Sequence, residues 1–329
     1  MFKKIKYMGM FFILGSALGM SSPAFSAAKI LKLSVSVPAD HAGGMQLRRF
    51  ADLVNEGSKG ALDARPFYNN QLGGETEVAQ GIQLGSIEGG LITTAVLSRW
   101  VPEADAFELP FIYTSDEHWH RVITSDYILD FAKRYEPHGL KVLSYTAWGS
   151  RNVMSTFSIE KPEDVVGKKM RIMQNPMHAS TWEALGARPT PIPAPEIYNA
   201  LQTGLADYFD NNIISWHALK FYEVAPHLTK SSHMYQPIAF IVSKRLYDGL
   251  TPELQKVLQD AARDAALYGL EISAGMVEEA QKLAAKEGGV IHELQDREAW
   301  TEKTRPVWDE WAADDSDRKA IIEAILSLQ

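Results

Sequence analysis

The sequence contains no cysteine. Disulfide staples, thiolate nucleophiles, cysteine-bound metals and attachment to a lipid through a cysteine are therefore excluded. No Gly-x-Ser-x-Gly elbow is present, so a common serine-hydrolase signature is missing as well. Basic residues are in deficit, with 33 Lys and Arg against 41 Asp and Glu and a formal net charge of −8. That balance argues against a nucleic-acid partner. Long apolar runs are also scarce, and even Met8 to Met20 falls short of the roughly 20 residues that a membrane-spanning helix needs. Lys3, Lys4 and Lys6 precede that run, Pro23 follows it, and Ala24, Ser26, Ala27 and Ala28 supply small residues. This progression predicts a cleavable signal peptide over residues 1–27, cut after Ala27, and a soluble product in the periplasm of a Gram-negative cell. Three lysines and no acid leave with it, moving the formal charge to about −11. An acidic surface still permits an anion site, because a few buried arginines set the field inside a cleft.

About 300 remaining residues exceed one comfortable core, so two domains are expected. Leu31, Leu33, Val35 and Val37 alternate at the strand period, and Met45, Leu47, Phe50, Leu53 and Val54 follow at helical spacing over 43–57. Ala64 to Tyr68 reads as a second strand. Gln71-Leu72-Gly73-Gly74 then feeds a helix carrying Val78, Ile82 and Leu84, with Glu75 and Glu77 at its start. Gly90 to Thr94 reads as a buried strand ending in two hydroxyls, which serve either a ligand at the strand's carboxyl end or simple turn chemistry. Residues 115–136 read as one helical stretch and Lys141 to Ala147 as a strand. A crossing between domains is placed at Trp148-Gly149-Ser150-Arg151. Beyond it come strands near Val153 to Phe157, Met170 to Met173 and Ala206 to Asp210, with helices over Met177 to Leu185 and after Pro195. The longest element is a helix from Pro252 to about Glu287, capped by Thr251 and stopped by Gly288-Gly289. Its roughly 50 Å either bridges two domains or lies on the surface as one long helix. The fold class is α/β.

Alternation places Arg171 and Met173 on one face of their strand, with Met170 and Ile172 on the other. Arg171 is then either paired inside the protein or free for a ligand. Arg151 stands at a similar strand–loop junction. A guanidinium offers a planar fork of donors that matches a carboxylate or sulfonate and keeps its charge at any accessible pH. Asn211 can either donate its amide to the same oxygens or act as a turn residue. Enzyme chemistry has less support. His118 and His120, at i and i+2 on a helix, face apart and cannot share a metal. His178 and His292 have no evident partners, and each is expected as a surface or capped histidine.

The chain resembles the substrate-binding proteins of tripartite ATP-independent periplasmic (TRAP) transporters of the dicarboxylate-receptor type. The likeness runs in order through Gln71-Leu72-Gly73-Gly74-Glu75, Gly81-Ile82-Gln83-Leu84-Gly85, Glu108-Leu109-Pro110-Phe111, Trp148-Gly149-Ser150-Arg151 and Lys169-Met170-Arg171-Ile172-Met173-Gln174-Asn175-Pro176. Its most specific block is Leu185-Gly186-Ala187-Arg188-Pro189-Thr190-Pro191, then Glu196 to Gly204, then Asp207. The resemblance implies a two-lobed binding protein with discontinuous domains and a long helix spanning both lobes. Residues 28–149 plus about 236–275 would form lobe I, and 150–235 plus about 276–329 lobe II. It implies that Arg171 grips a ligand carboxylate in both its oxygens, that Arg151 supports the same group and that Asn211 completes the clamp. Glu75, Thr93, Trp148 and Gln174 would line the cleft. Two departures reshape the pocket wall: Asp207-Tyr208-Phe209-Asp210-Asn211-Asn212 stands where the family usually has Asp-Gly-Gln-Glu-Asn-Pro, and Ala194-Pro195 replaces an aromatic residue.

Together these readings predict a monomeric periplasmic receptor, not an enzyme, without cofactor or metal. It closes on a small organic anion through contacts made only in the closed state. Its partners would be the small and large permease components of a TRAP transporter. A polar lining of Glu75, Thr93, Gln174 and Asp210 favours a hydroxylated acid, with dicarboxylates, sugar acids and sulfonates as further candidates. A secreted hydrolase or lyase, or a sensor-linked receptor, are the competing functions. The whole scheme requires Arg151 and Arg171 to be neutralised by a guest and not by the protein's own acids.

Overall fold

The structure, a computed structural model, describes residues 28–329; the expected signal peptide lies outside the described residues. Strands β1 (Lys29–Ser34), β2 (Leu62–Phe67), β3 (Gly89–Thr93) and β4 (Leu140–Thr146) build most of a first sheet. The next five strands, β5 (Arg151–Ser155), β6 (Lys169–Ile172), β7 (Arg188–Pro191), β8 (Tyr208–Asn211) and β9 (His227–Met234), belong to a second. The chain then returns as β10 (Ile238–Ser243) to the first sheet and ends its strands with β11 (Val290–Glu293) in the second. The first sheet runs β2-β1-β3-β10-β4 and the second β11-β9-β5-β8-β6-β7. β10 is antiparallel to both neighbours, as fits a strand entering the first sheet from the far lobe. Each sheet with its helices forms one lobe, and the chain passes between them near 147–151 and again near 234–238.

Helix Ala42–Gly57 covers the first sheet with Leu47, Phe50, Ala51 and Val54, packed with Leu31, Leu33 and Leu91. The long helix Pro252–Lys286 is capped by Thr251, whose side chain accepts from the Leu254 amide. It does bridge the lobes: Leu258, Ala261, Ala262, Ala265 and Ala266 belong to the first-lobe core, Ala280 and Ala284 to the second, and Val277 touches both. Small side chains let this helix lie close against Ala42–Gly57, as contacts between two helix backbones require.

Two local expectations differ from the structure. Residues 115–136 are not one helix but Asp116–Ile123 and Asp126–Phe131 followed by a 3-10 segment Ala132–His138. The side chains of Ser115 and Ser125 each cap a helix start, and Pro137 lies in the last segment; such caps restart the chain instead of continuing it. The C-terminal helices also differ from the expected lobe II placement. Arg297–Ala312 begins in the second lobe, where Trp300 is buried, but Val307, Trp308 and Ala312 join the first-lobe core, as do Ile321, Ile322 and Ile325 of Ser316–Ser327.

At Gly90 the backbones of β1 and β3 approach so closely that an added Cβ would lie 2.4 Å from the Ser34 carbonyl oxygen. Gly90→Ala should therefore cost roughly 1–3 kcal/mol, the usual range for overpacking, read as a lowered urea midpoint with an unchanged slope.

Candidate functional site

The two sheets face one another across a cavity of about 240 Å³. Lobe I brings Ser36, Glu75, Thr93 and Trp148 to it, at or beyond the carboxyl ends of its strands and at one helix start; lobe II brings Arg151, Arg171, Met173, Asn211 and Asn212. The strand alternation foreseen around Arg171 explains its placement. Met170 and Ile172 point into the lobe II core, while Arg171 and Met173 face the cavity.

Arg171 is 3% exposed, and its Nε donates to the Ile192 carbonyl at 2.8 Å. Neither of its terminal nitrogens finds a hydrogen-bond partner among the described residues. Burial, then repulsion from Arg151, pulls the guanidinium down to about 9, so it keeps its charge at neutral pH. A desolvated cation without a counter-ion is costly, and the cost is relieved by an anion placed against its open edge.

Arg151 behaves differently. Its Nε and one terminal nitrogen donate to the two carboxylate oxygens of Asp210 at 2.9 and 2.8 Å, and that nitrogen also reaches the Asp210 carbonyl at 2.6 Å. Its other terminal nitrogen donates to Gln236 Oε1 at 3.2 Å. Burial alone would raise the Asp210 carboxyl, but the charge and hydrogen bonds of Arg151, helped by His233 at 3.1 Å, hold it well below the usual carboxylate range. The expectation that a guest neutralises both arginines is thus corrected: Arg151 is neutralised internally by Asp210, and only Arg171 is left open. Asp210 itself, expected in the polar lining, is fully buried behind Arg151 and does not line the cavity.

Gln174 is a second displacement. It is exposed, accepts from the Thr76 hydroxyl at 3.4 Å across the lobes, and lies off the cavity wall. Glu75, Thr93, Trp148 and Asn211 do reach the wall. Glu75 accepts from the Thr93 amide at 3.1 Å, the Thr93 hydroxyl at 2.7 Å and the Ser36 hydroxyl at 3.1 Å, and burial raises its carboxyl above the usual value. Asn211 Oδ1 accepts from the Asn212 amide at 2.8 Å, which leaves its own amide group as a donor toward the cavity. Thr94, the second hydroxyl after β3, is used inside the fold by Glu108 and the Pro237 carbonyl.

Sequence reasoning missed Gln236, Asn69, Asn70 and Ser215 on the wall. The one available signal was the Asn69-Asn70 pair before the glycine turn, since asparagine tolerates the left-handed backbone both adopt, φ 51° and 57°. His178 is not a surface residue but fully buried, 2.7 Å from Glu108, and His292 meets His227 at 2.9 Å. Among the described residues no group of three or more His, Cys, Asp or Glu could hold a metal, and no helix is long and apolar enough to cross a membrane.

The family profile "Bacterial extracellular solute-binding protein, family 7" matches residues 33–315. The C4-dicarboxylate-binding periplasmic protein DctP of Rhodobacter capsulatus is 30% identical over 304 residues, 90% of each chain. A TRAP periplasmic solute-binding protein from a Polaromonas species, solved bound to D-erythronate, superposes with a TM-score of 0.88 at 29% identity, covering 91% of this chain and 98% of that one. The sugar acid binding protein of Advenella mimigardefordensis in complex with galactonate gives 0.87 at 29% identity, over 92% and 97% of the two chains.

Breaking the buried ion pair by Asp210→Asn should cost about 3–5 kcal/mol at neutral pH, because it strands the Arg151 charge. Asp210 has a depressed folded value, so its contribution is complete above the unfolded value of about 3.9 and fades as pH falls toward the folded one. The stability gap between wild type and Asp210→Asn, measured by denaturant titration, should therefore narrow below about pH 4.

Proposed function

The chain belongs to bacterial extracellular solute-binding protein family 7, the receptors of TRAP transporters, which are not enzymes, and from that premise we propose that its cavity captures a small hydroxylated monocarboxylate. The observation that carries this reading is the open edge of Arg171, a buried cation facing the cavity whose two terminal nitrogens have no partner among the described residues. The guest's carboxylate takes both terminal nitrogens of Arg171, and the Asn211 amide donates to one of its oxygens. Arg151 contributes by holding Asp210 and Gln236 in place and by its field, not as a second free fork.

Charge distinguishes the ligand classes. One open cation balances one carboxylate, and the facing wall carries the Glu75 carboxyl, which accepts hydrogen bonds and repels a second anion. A hydroxyl on the guest suits that wall, because it can donate to Glu75 where a carboxylate cannot. Both solved relatives above hold hydroxylated monocarboxylates, whereas the Rhodobacter relative is named for C4-dicarboxylates. Membership of a periplasmic family that works with membrane permeases supports the same role here: the receptor acts in the periplasm as a monomer, handing its ligand to the small and large permease components.

Isothermal titration with D-erythronate, galactonate, succinate and a small alkyl sulfonate tests the assignment. The hydroxy monocarboxylates should bind most tightly and succinate weakly; succinate binding tightest of the set would refute the monoanion reading. Arg171→Ala should weaken binding at least ~30-fold, in line with the 2 kcal/mol or more lost when one partner of a buried charge pair is truncated. The ligand-free variant should melt no lower than wild type, since it loses an uncompensated buried charge.

A further inference from the structure

Trp148 stands at the first passage between the lobes and forms part of the cavity wall. An indole has one polar atom, its ring N–H, and a buried indole places that donor on an acceptor. Here the donor is turned away from the guest, into lobe I, 3.0 Å from Oε1 of Gln46. The ligand therefore meets Trp148 as hydrocarbon surface alone.

Gln46 is fully buried in helix Ala42–Gly57. A carboxamide can exchange its oxygen and nitrogen by a half turn, but the hydrogen-bond chain behind it fixes the direction. Gln46 Nε2 donates to the Thr146 hydroxyl at 2.9 Å, and that hydroxyl donates onward to the Ala266 carbonyl at 3.4 Å. A carbonyl only accepts, so the order along the chain is set and Oε1 is left to receive the indole. The surrounding backbone is cut away for this arrangement. A Cβ added at Gly269 of the long helix would lie 1.3 Å from Gln46 Nε2, and one at Gly43 would lie 2.3 Å from the Trp148 ring. Neither Gln46 nor Gly269 touches the cavity.

We propose that Gln46, seated in the notch at Gly269, is a positioning residue for ligand capture that fixes Trp148 as a preset apolar wall of the site. This rests on the reading that the cavity holds an organic acid, and it adds which buried group shapes that wall. Gln46→Leu fills similar space but removes both hydrogen bonds. Its Kd for D-erythronate or galactonate should rise about tenfold, whereas in a Trp148→Phe background the same change should cost less than about twofold. Gly269→Ala, which displaces Gln46 from outside the cavity, should reproduce the loss. In ligand-free protein, the near-ultraviolet circular dichroism removed by Trp148→Phe should also be removed by Gln46→Leu. Wild-type affinity in both Gln46→Leu and Gly269→Ala, or an equal loss with and without the indole, overturns the proposal. If neither acid binds wild type, the acid reading fails separately, and the dichroism decides the role of Gln46: a retained Trp148 signal overturns it.

Discussion

In the interior of lobe II the Arg151 guanidinium takes the Asp210 carboxylate and the Arg171 guanidinium has none, and that imbalance governs the site. Asp210 meets Arg151 with both oxygens and His233 with one of them. Arg171 is left carrying a charge that burial and its neighbour both oppose. The strain is local and specific, and in the proposed complex the anion in the cavity would relieve it.

Under the proposed function the lobes contribute different things to the guest. Lobe II supplies the charge, through Arg171 backed by the Arg151–Asp210 pair. Lobe I supplies shape and polarity, through the Trp148 ring and the Glu75 carboxyl held by Thr93 and Ser36. A ligand bridging both sets would meet the two walls together, and such bridging is what lets a guest favour one arrangement of the lobes over another.

Much of this was legible in the residues. The alternation around Arg171 and the cap at Thr251 are local patterns, and local patterns survive in sequence. The ordered motifs placed Glu75, Thr93, Trp148 and Asn211 at the wall. What failed were pairings across long separations. Nothing near Arg151 announces that Asp210, 59 positions later, consumes its fork, or that His178 reaches Glu108, 70 positions earlier. Gln174 follows Met173 directly, yet β6 has already ended at Ile172, so the strand alternation no longer sets its direction and it turns outward. The return of the last helices to lobe I was hidden for a similar reason: an amphipathic helix shows that it packs, but not on which of two cores.

That return has a practical side. Residues Lys29–Ser34 and the closing helix Ser316–Ser327 both belong to lobe I, although the chain between them visits lobe II and comes back. A rigid rotation of one lobe against the other leaves the separation of these two segments unchanged. Fluorophores attached beside Lys29–Ser34 and on Ser316–Ser327 would be blind to such a motion, while a label on the far lobe, for example near Val166 or Leu205, would see it.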